Sequence, residues 1–497
     1  MPHPRETAST YPHKAAIVMG GSGEMVTYRE LDQHSAQGAR LLRALGLDPG
    51  VHVALLLDNH PAFLEICWAA RRAGVVFIPL PLHASVAEIA EILADSGARA
   101  LIASHGLAAQ AVAARHAAQG LDYCFMVDGI AEGFESWEES IDRQPLEALE
   151  DEACGVPMFY ALGEGLPLCG ALPQAPGSDP DAPPPLAGGV GVAFGFSEET
   201  VFLSPAPLYT PASLLYHMMN LYQGGTSVVM ESFEPEAALA LIEEQRVTHS
   251  LWVPSMFTRL LRLPQAVRQQ YELGSMQYAI HAGTPCAIHL KQQMIDWWGP
   301  VLVEYYAAGS GDGATLIDSA DWLAHKGSVG KPFVGAVEIL DAAGQPLPAG
   351  QLGDIHFVGD PAGTGDVGYL DAEGYLYVTD RSSQVVALPD GAIYPQELES
   401  LLMTHDKIAD VAVFGLGDAA EGGQLQAVVE PENWADATDE TAFEIVEWLR
   451  ERVEHLVSPQ QVSFSQRLPR EDDGVVYKHR LMQEMRGGAR DNTKQEE

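Results

Sequence analysis

Val51-His52-Val53-Ala54-Leu55-Leu56-Leu57 is a continuous apolar run closed by Asp58, and it decides the fold class. A strand that meets water on one face alternates polar and apolar side chains, whereas a parallel strand covered on both faces has no reason to. The next segments repeat the logic. Residues 61–72 carry helical periodicity, Val76-Phe77-Ile78-Pro79-Leu80 reads as strand, 87–95 as helix, and 98–104 (ARALIAS) as strand again. Strands alternating with helices of this length predict an α/β architecture built on parallel sheets.

Working outward, residues 15–28 (AAIVM-GGSG-EMVTY) predict a hairpin leading into a helix over 28–45. Residues 173–189 are dense in Pro, Gly, Ala and Asp and predict a long surface loop, after which strands are expected in TSVVM, HSLWVP, QYAIHAG and VLVEYYA, with a helix over 234–245. Short strands separated by Gly and Asp turns between Gly327 and Tyr377 predict a small β-rich subdomain. Beyond Asp380, two strands, a helix over 441–457 and a last strand, QVSFSQRLP, form an α+β unit. In that helix Phe443, Val446, Leu449, Val453 and Leu456 are expected on one face. The expected organisation is a large N-terminal domain, 1–379, of mixed sheets layered with helices and including the β-rich part from about 327 to 379, a small mobile C-terminal domain, 380–486, and a disordered tail, 487–497.

A chain of 497 residues with 47% hydrophobic residues is globular and too long for one core. Against 28 Lys and Arg stand 68 Asp and Glu, a formal charge of −40, spread along the sequence. Such a field repels nucleic acid and anionic lipid and gives no help in attracting nucleotide phosphates. No apolar run approaches a membrane span and residues 1–11 lack the apolar core of a signal peptide, so a soluble, cytoplasmic protein is expected. Cys67, Cys124, Cys154, Cys169 and Cys286 show no CxxC spacing, which argues for core thiols over a disulfide framework or zinc site.

Several segments, in order, carry a resemblance: SPAPLYTPASLL (204–215), the stretch from Glu231 to Phe257, QYAIHAGTPC (277–286), VEYYAAGSGDG (303–313), GSVGKP (327–332), GDVGYLDAEGYLYVTDR (365–381), IYPQELE (393–399) and the closing Leu468-Pro469-Arg470 to Leu481. From about Tyr11 to Arg486 the chain resembles the acyl-CoA synthetase and adenylate-forming ligase family, and bacterial fatty-acyl-CoA synthetases in particular. The resemblance implies ATP, magnesium and CoA as cofactors: a carboxylate attacks the α-phosphate, and the CoA thiol then displaces AMP. It assigns nucleotide binding to Asp366, Arg381, Gly283 and Tyr305, a hinge to Asp380, and the acyl pocket to Tyr209, Thr210, Trp252, Met256 and His281. Asp366 would accept hydrogen bonds from both ribose hydroxyls; read from its residues alone, Gly365-Asp366 would also suit a tight turn.

The chemistry-bearing positions depart from the family wording. Phosphoryl transfer is stabilised by positioning and charge. Yet where the family has YSSGTTGRPKG this chain has Tyr160-Ala161-Leu162-Gly163-Glu164-Gly165-Leu166-Pro167-Leu168-Cys169-Gly170, without a hydroxyl or lysine after Tyr160. Glu164 at about 4 Å from a phosphate charge would repel it by about 4 kcal/mol at an effective dielectric near 20. Gly309 and Ser310 replace the phosphate-touching threonine and the magnesium-binding glutamate, Asp312 lying two residues on. Val475 replaces the catalytic lysine, and Pro389 and Asp390 replace two glycines of the thioester-forming segment. No metal site is assigned, and AMP is expected to bind better than ATP. The reading is a non-catalytic acyl- or nucleotide-binding or partner protein, with no nucleic-acid partner and a homodimer left open. Its rivals are a working acyl-CoA ligase with a variant site and ATP-independent chemistry in the old acyl pocket.

Overall fold

The computed structural model describes residues 3–160, 170–171, 177, 179–307, 313–359, 363–388, 391–416, 424–453, 461–469, 476, 478, 481–482 and 485. Two compact units emerge: Met1–Trp252 with Arg259–Ile280, and Val253–Thr258 with His281–Glu497. Among the described residues no helix is long and apolar enough to cross a membrane.

The first unit is α/β as the apolar runs demand. One sheet has the order Glu135–Ser136, Tyr123–Val127, Ala100–Ser104, His52–Leu56, Val76–Pro79, Val156–Pro157, all parallel. Its central strands are fully buried, with Ala54, Leu56, Ile78, Leu101 and Met126 in one core cluster under Ile89, Ile92 and Leu93 of the Val86–Ser96 helix. In a second sheet Val201–Ser204 lies parallel to both His249–Trp252 and Thr226–Val229, which in turn flanks the Ala15–Met19/Met25–Thr27 hairpin. Helix starts follow local chemistry. Thr27 caps Tyr28–Ala44 by accepting from the Glu30 amide while the Glu30 carboxylate accepts from the Thr27 amide, and Ser85 with Glu88 repeats the device.

The segment expected as a surface loop is irregular over residues 179–189, but it is not free of the body. Pro184 and Ala187 are buried, Tyr222 donates to the Asp181 carbonyl at 3.1 Å, and the Arg71 guanidinium donates to the Ala182 carbonyl. Arg72, buried, pairs with Glu152 at 2.6 Å and Asp32 at 2.8 Å. Buried backbone and charge require partners, and here the loop supplies some of them.

The second unit contains an antiparallel meander, Leu302–Ala307, Ala314–Asp318 and Lys331–Val334. A four-stranded antiparallel sheet follows in the order Val337–Leu340, Gly353–Phe357, Asp366–Leu370, Leu376–Arg381. Its core holds Val337, Ile339, Ile355, Phe357 and Leu376. The expected β-rich subdomain is present, although Lys331–Val334 pairs with Ala314–Asp318 outside it. Ile408–Leu416, Gln424–Pro431 and Gln461–Phe464 form a further sheet, packed with the helices Pro395–Leu402 and Asp439–Arg450.

Two expectations need correction. The helix placed at 441–457 is Asp439–Arg450, capped by Thr438 accepting from the Thr441 amide; Leu456 lies outside the described residues. Its buried row is Thr441, Ile445 and Leu449, a spacing of four, while Phe443 is 68% exposed. At about 100° per residue, position 443 is turned about 200° from Thr441 and so faces away from the core. Among the cysteines, Cys67, Cys124 and Cys154 are buried as expected, whereas Cys286 is only partly so. Cys169 lies outside the described residues.

Candidate nucleoside site and a sealed polar centre

Two polar centres are built within the second unit. In the first, Asp366 opens the strand Asp366–Leu370 just after Gly365, whose φ of 77° lets the chain turn there. The Asp366 amide donates to the Thr364 hydroxyl at 3.2 Å, and that hydroxyl donates to the Ile355 carbonyl at 3.0 Å. Asp366 is therefore no mere turn residue: its carboxylate is half-buried and accepts a 2.7 Å hydrogen bond from the Tyr306 hydroxyl. The phenol ring stacks on Phe357, with centroids 6.2 Å apart at 26°. Register places Arg381 opposite Asp366 in the sheet.

Burial raises the Asp366 carboxyl above its ordinary range, aided by Asp380 and opposed by the Tyr306 hydrogen bond and the Arg381 charge. Burial, then Asp366, also raises the Tyr306 phenol, so it stays a donor. Asp380 itself is 1% exposed. Its carboxylate accepts from the Arg381 amide at 2.8 Å and the Gln396 amide at 2.9 Å, tying the strand Leu376–Arg381 to the start of the helix Pro395–Leu402.

The second centre is sealed. Lys291, on the helix Ile288–Trp298, and Glu304, in the strand Leu302–Ala307, form an ion pair at 2.7 Å with lysine exposure of 0%. The ammonium lies 5.1 Å from the Trp322 ring centroid. His281, also 0% exposed, packs edge-on against Phe257 at 5.5 Å, and among the described residues neither ring nitrogen has a hydrogen-bond partner. Burial, followed by the Lys291 charge, holds its imidazole well below the usual histidine range. At 3.8 Å from Glu304 a neutral ring makes no ion pair.

Of the residues that the resemblance names, Asp366 and Arg381 are brought together. Tyr305, half-buried, is the neighbour of the tyrosine that meets Asp366, because successive side chains of a strand point to opposite faces. Gly283 is exposed in the loop after His281. Met256 is buried in the second unit. In the first unit Tyr209 approaches His83 Nδ1 at 3.4 Å, Thr210 donates to the Pro207 carbonyl at 2.8 Å, and Trp252 donates from Nε1 to Ser250 Oγ at 2.7 Å. Glu164, Cys169, Gly309, Ser310, Asp312, Pro389, Asp390 and Val475 lie outside the described residues. Among the described residues no group of three or more His, Cys, Asp or Glu is arranged to hold a metal.

Sequence reasoning missed Tyr306, Lys291 and Glu304. For the ion pair a signal existed: one carboxylate inside the apolar run 301–307 requires a buried partner. Nothing local named Lys291 as that partner.

Comparison with known proteins completes the picture. The family model described as AMP-binding enzyme matches residues 4–179 and 186–365, and that for the AMP-binding enzyme C-terminal domain matches 397–474. A feruloyl-CoA synthase of Amycolatopsis sp is 30% identical over 513 residues, covering 96% of each chain. A long-chain-fatty-acid–CoA ligase of Mycobacterium tuberculosis is 26% identical over 501 residues, covering 95% of this chain and 96% of the ligase. Among solved structures, an amide bond synthetase from Marinactinospora thermotolerans has a TM-score of 0.77 at 22% identity, over 96% of this chain and 98% of that one, a likeness of fold. Because the family models span most of the chain and the sequence likeness runs nearly end to end, this protein belongs to the AMP-binding enzyme family, the adenylate-forming class that includes the acyl-CoA synthetases.

Proposed function

We propose that this acyl-CoA synthetase-like protein binds a nucleoside or acyl ligand without running the ATP-driven synthesis of acyl-CoA. One observation carries the reading: between Ala161 and Gly170 no hydroxyl and no lysine is present, and Glu164 adds a carboxylate where polyphosphate would be cradled. Gly309, Ser310 and Val475 remove the threonine, glutamate and lysine on which the same reaction depends. The loss of one such group costs about 10²–10³ in rate, and several together leave little. The nucleoside end is what supports ligand binding. Asp366 offers a half-buried carboxylate acceptor with Arg381 opposite in register, and Tyr305 and Gly283 are assigned to the same ligand. Met256 is assigned to the acyl side, His281 being sealed from any ligand, and Asp380 to the hinge.

The test is pyrophosphate release with ATP, magnesium, CoA and a panel of medium- and long-chain fatty acids and hydroxycinnamic acids. No acid-dependent release is expected. Turnover above about 1 s⁻¹, an ordinary enzyme rate, would overturn the reading. It would establish the second one, a working acid–CoA ligase, which the 30% identity to a feruloyl-CoA synthase favours.

A further inference from the structure

Three neighbouring parallel strands of the first unit end in the turns Leu57-Asp58-Asn59-His60, Ser104-His105-Gly106-Leu107 and Val127-Asp128-Gly129-Ile130. The nucleoside and acyl readings use none of these residues. His52–Leu56 comes first in the chain, Val76–Pro79 adds on one side of it and Ala100–Ser104 on the other, so the winding reverses between His52–Leu56 and Ala100–Ser104. Right-handed crossovers then leave to opposite faces, and the space beyond the carboxyl ends of two such strands is where open parallel sheets hold their ligands.

The side chains there are held in place. Asn59 fixes the first exit: its amide donates to the Met230 carbonyl at 2.6 Å and its oxygen accepts from the Leu208 amide at 2.7 Å. Asp58 beside it is half-buried, with Oδ1 enclosed and, among the described residues, without a hydrogen-bond partner. Its Oδ2 lies 3.4 Å from where a Cβ on Gly106 would stand. His60 Nδ1 accepts from the Ala62 amide at 3.1 Å, so the ring proton is on Nε2 and is donated to Asp128 at 2.7 Å. Asp128 keeps a left-handed φ of 58°, a conformation that a non-glycine residue retains where its surroundings impose it. The His105 ring leans over Gly129, where a Cβ would come within 2.7 Å of Nδ1. Ile130, 71% exposed, adds an apolar flank.

We propose that this crevice binds a small organic cation, a primary ammonium on an apolar body, with Asp58 as its counter-ion. Charge decides the class. The three turns hold two carboxylates and no Lys or Arg, and both His60 nitrogens are committed, so what they offer a ligand is acceptors. An ammonium brings three donors and no acceptor. Among the described residues no group of three or more His, Cys, Asp or Glu is arranged to hold a metal, which favours an organic cation over a metal ion. The ligand supplies a half-buried carboxylate with the charge partner that the fold withholds, and a charge-assisted hydrogen bond is stronger there than in open water.

The probe is hexylamine, titrated by calorimetry and ligand-observed NMR into the full chain, with hexanol as its neutral counterpart. Hexylamine is expected to bind with a dissociation constant of about 1 mM, and hexanol about tenfold more weakly. Asp58→Asn should weaken hexylamine binding about tenfold and Ile130→Ser about threefold. Gly106→Val keeps the charge and fills the space beside Asp58, so it should weaken binding as much and keeps the test decisive should Asp58→Asn fold poorly. Glu338→Gln removes the same charge from the second unit and should change nothing, which separates a site from the general pull of a chain of charge −40 on any cation. Unchanged affinity in folded Asp58→Asn or Gly106→Val overturns the site. So does an equal loss in Glu338→Gln, hexanol binding as tightly as hexylamine, or no binding of hexylamine to the parent protein at about 10 mM.

Discussion

Asp366 and Glu304 are both carboxylates in strands of the same unit, and their surroundings differ in the way that separates scaffold from site. Glu304 is 6% exposed and meets a lysine of 0% exposure at 2.7 Å. Asp366 is half-buried, and a neutral phenol takes the place of a fixed cation on its oxygen. A sealed ion pair has nothing to exchange with, and its energy is spent in the fold. A half-buried carboxylate satisfied by a neutral hydroxyl can trade that hydroxyl for another. The comparison assigns the first centre to the scaffold and leaves the second as the candidate ligand site.

The largest effect is expected from breaking the sealed pair. Lys291→Met leaves Glu304 charged and buried without its cation, which should cost about 3–5 kcal/mol in chemical denaturation, while Lys291→Met with Glu304→Leu should recover much of the loss. Equal damage from Asp366→Asn would erase the contrast between the two centres.

Acid should separate them by sign. His281 has its folded value held below the ordinary 6.5, so between those values the unfolded chain binds the additional proton and stability falls as pH drops below about 6.5. Buried His217, lowered to about 3, acts in the same direction in the first unit. Each such histidine contributes about 1.4 kcal/mol per pH unit across its window. Asp366 has its folded value raised above 3.8, so in its own window the folded state binds more protons and acidification favours folding there. Urea midpoints at pH 7, 6, 5 and 4 should fall steadily, and His281→Gln should flatten the slope while Asp366→Asn should not.

The smallest expected effect on the fold, and the sharpest on binding, is that of Asp366→Asn. Stability should change by less than about 1 kcal/mol, since an amide oxygen still accepts from Tyr306. AMP affinity should fall about tenfold, which corresponds to about 1.4 kcal/mol, because the charge that strengthens hydrogen bonds from ribose hydroxyls is gone. Unchanged affinity in a calorimetric titration would remove Asp366 from the site.

The alternation that makes the first unit α/β was legible because buried parallel strands must be apolar throughout, as at Val53–Leu57 and Ala100–Ala103. Helix starts at Thr27 and Ser85 were legible because a capping box is complete within four residues. The face of Asp439–Arg450 was misread. Phe443 is the largest apolar side chain at its start, and the choice of buried row falls to the sheet beneath it, which Ile445 and Leu449 meet. At the candidate nucleoside site, sequence pointed to Tyr305, and the pleat of the strand put Tyr306 on Asp366.

The sequence alone determined the order of strands and helices, the family, and the absence of hydroxyls and lysine from Ala161 to Gly170. Each of these is written in residue identity or short-range spacing. Only the tertiary structure decided which tyrosine meets Asp366, that Lys291 neutralises Glu304, and that His281 is left neutral and, among the described residues, without a hydrogen-bond partner. Those outcomes depend on strand register and helix placement between segments from 13 to 60 residues apart, and the free energy of a buried polar group is set by whatever the fold brings against it.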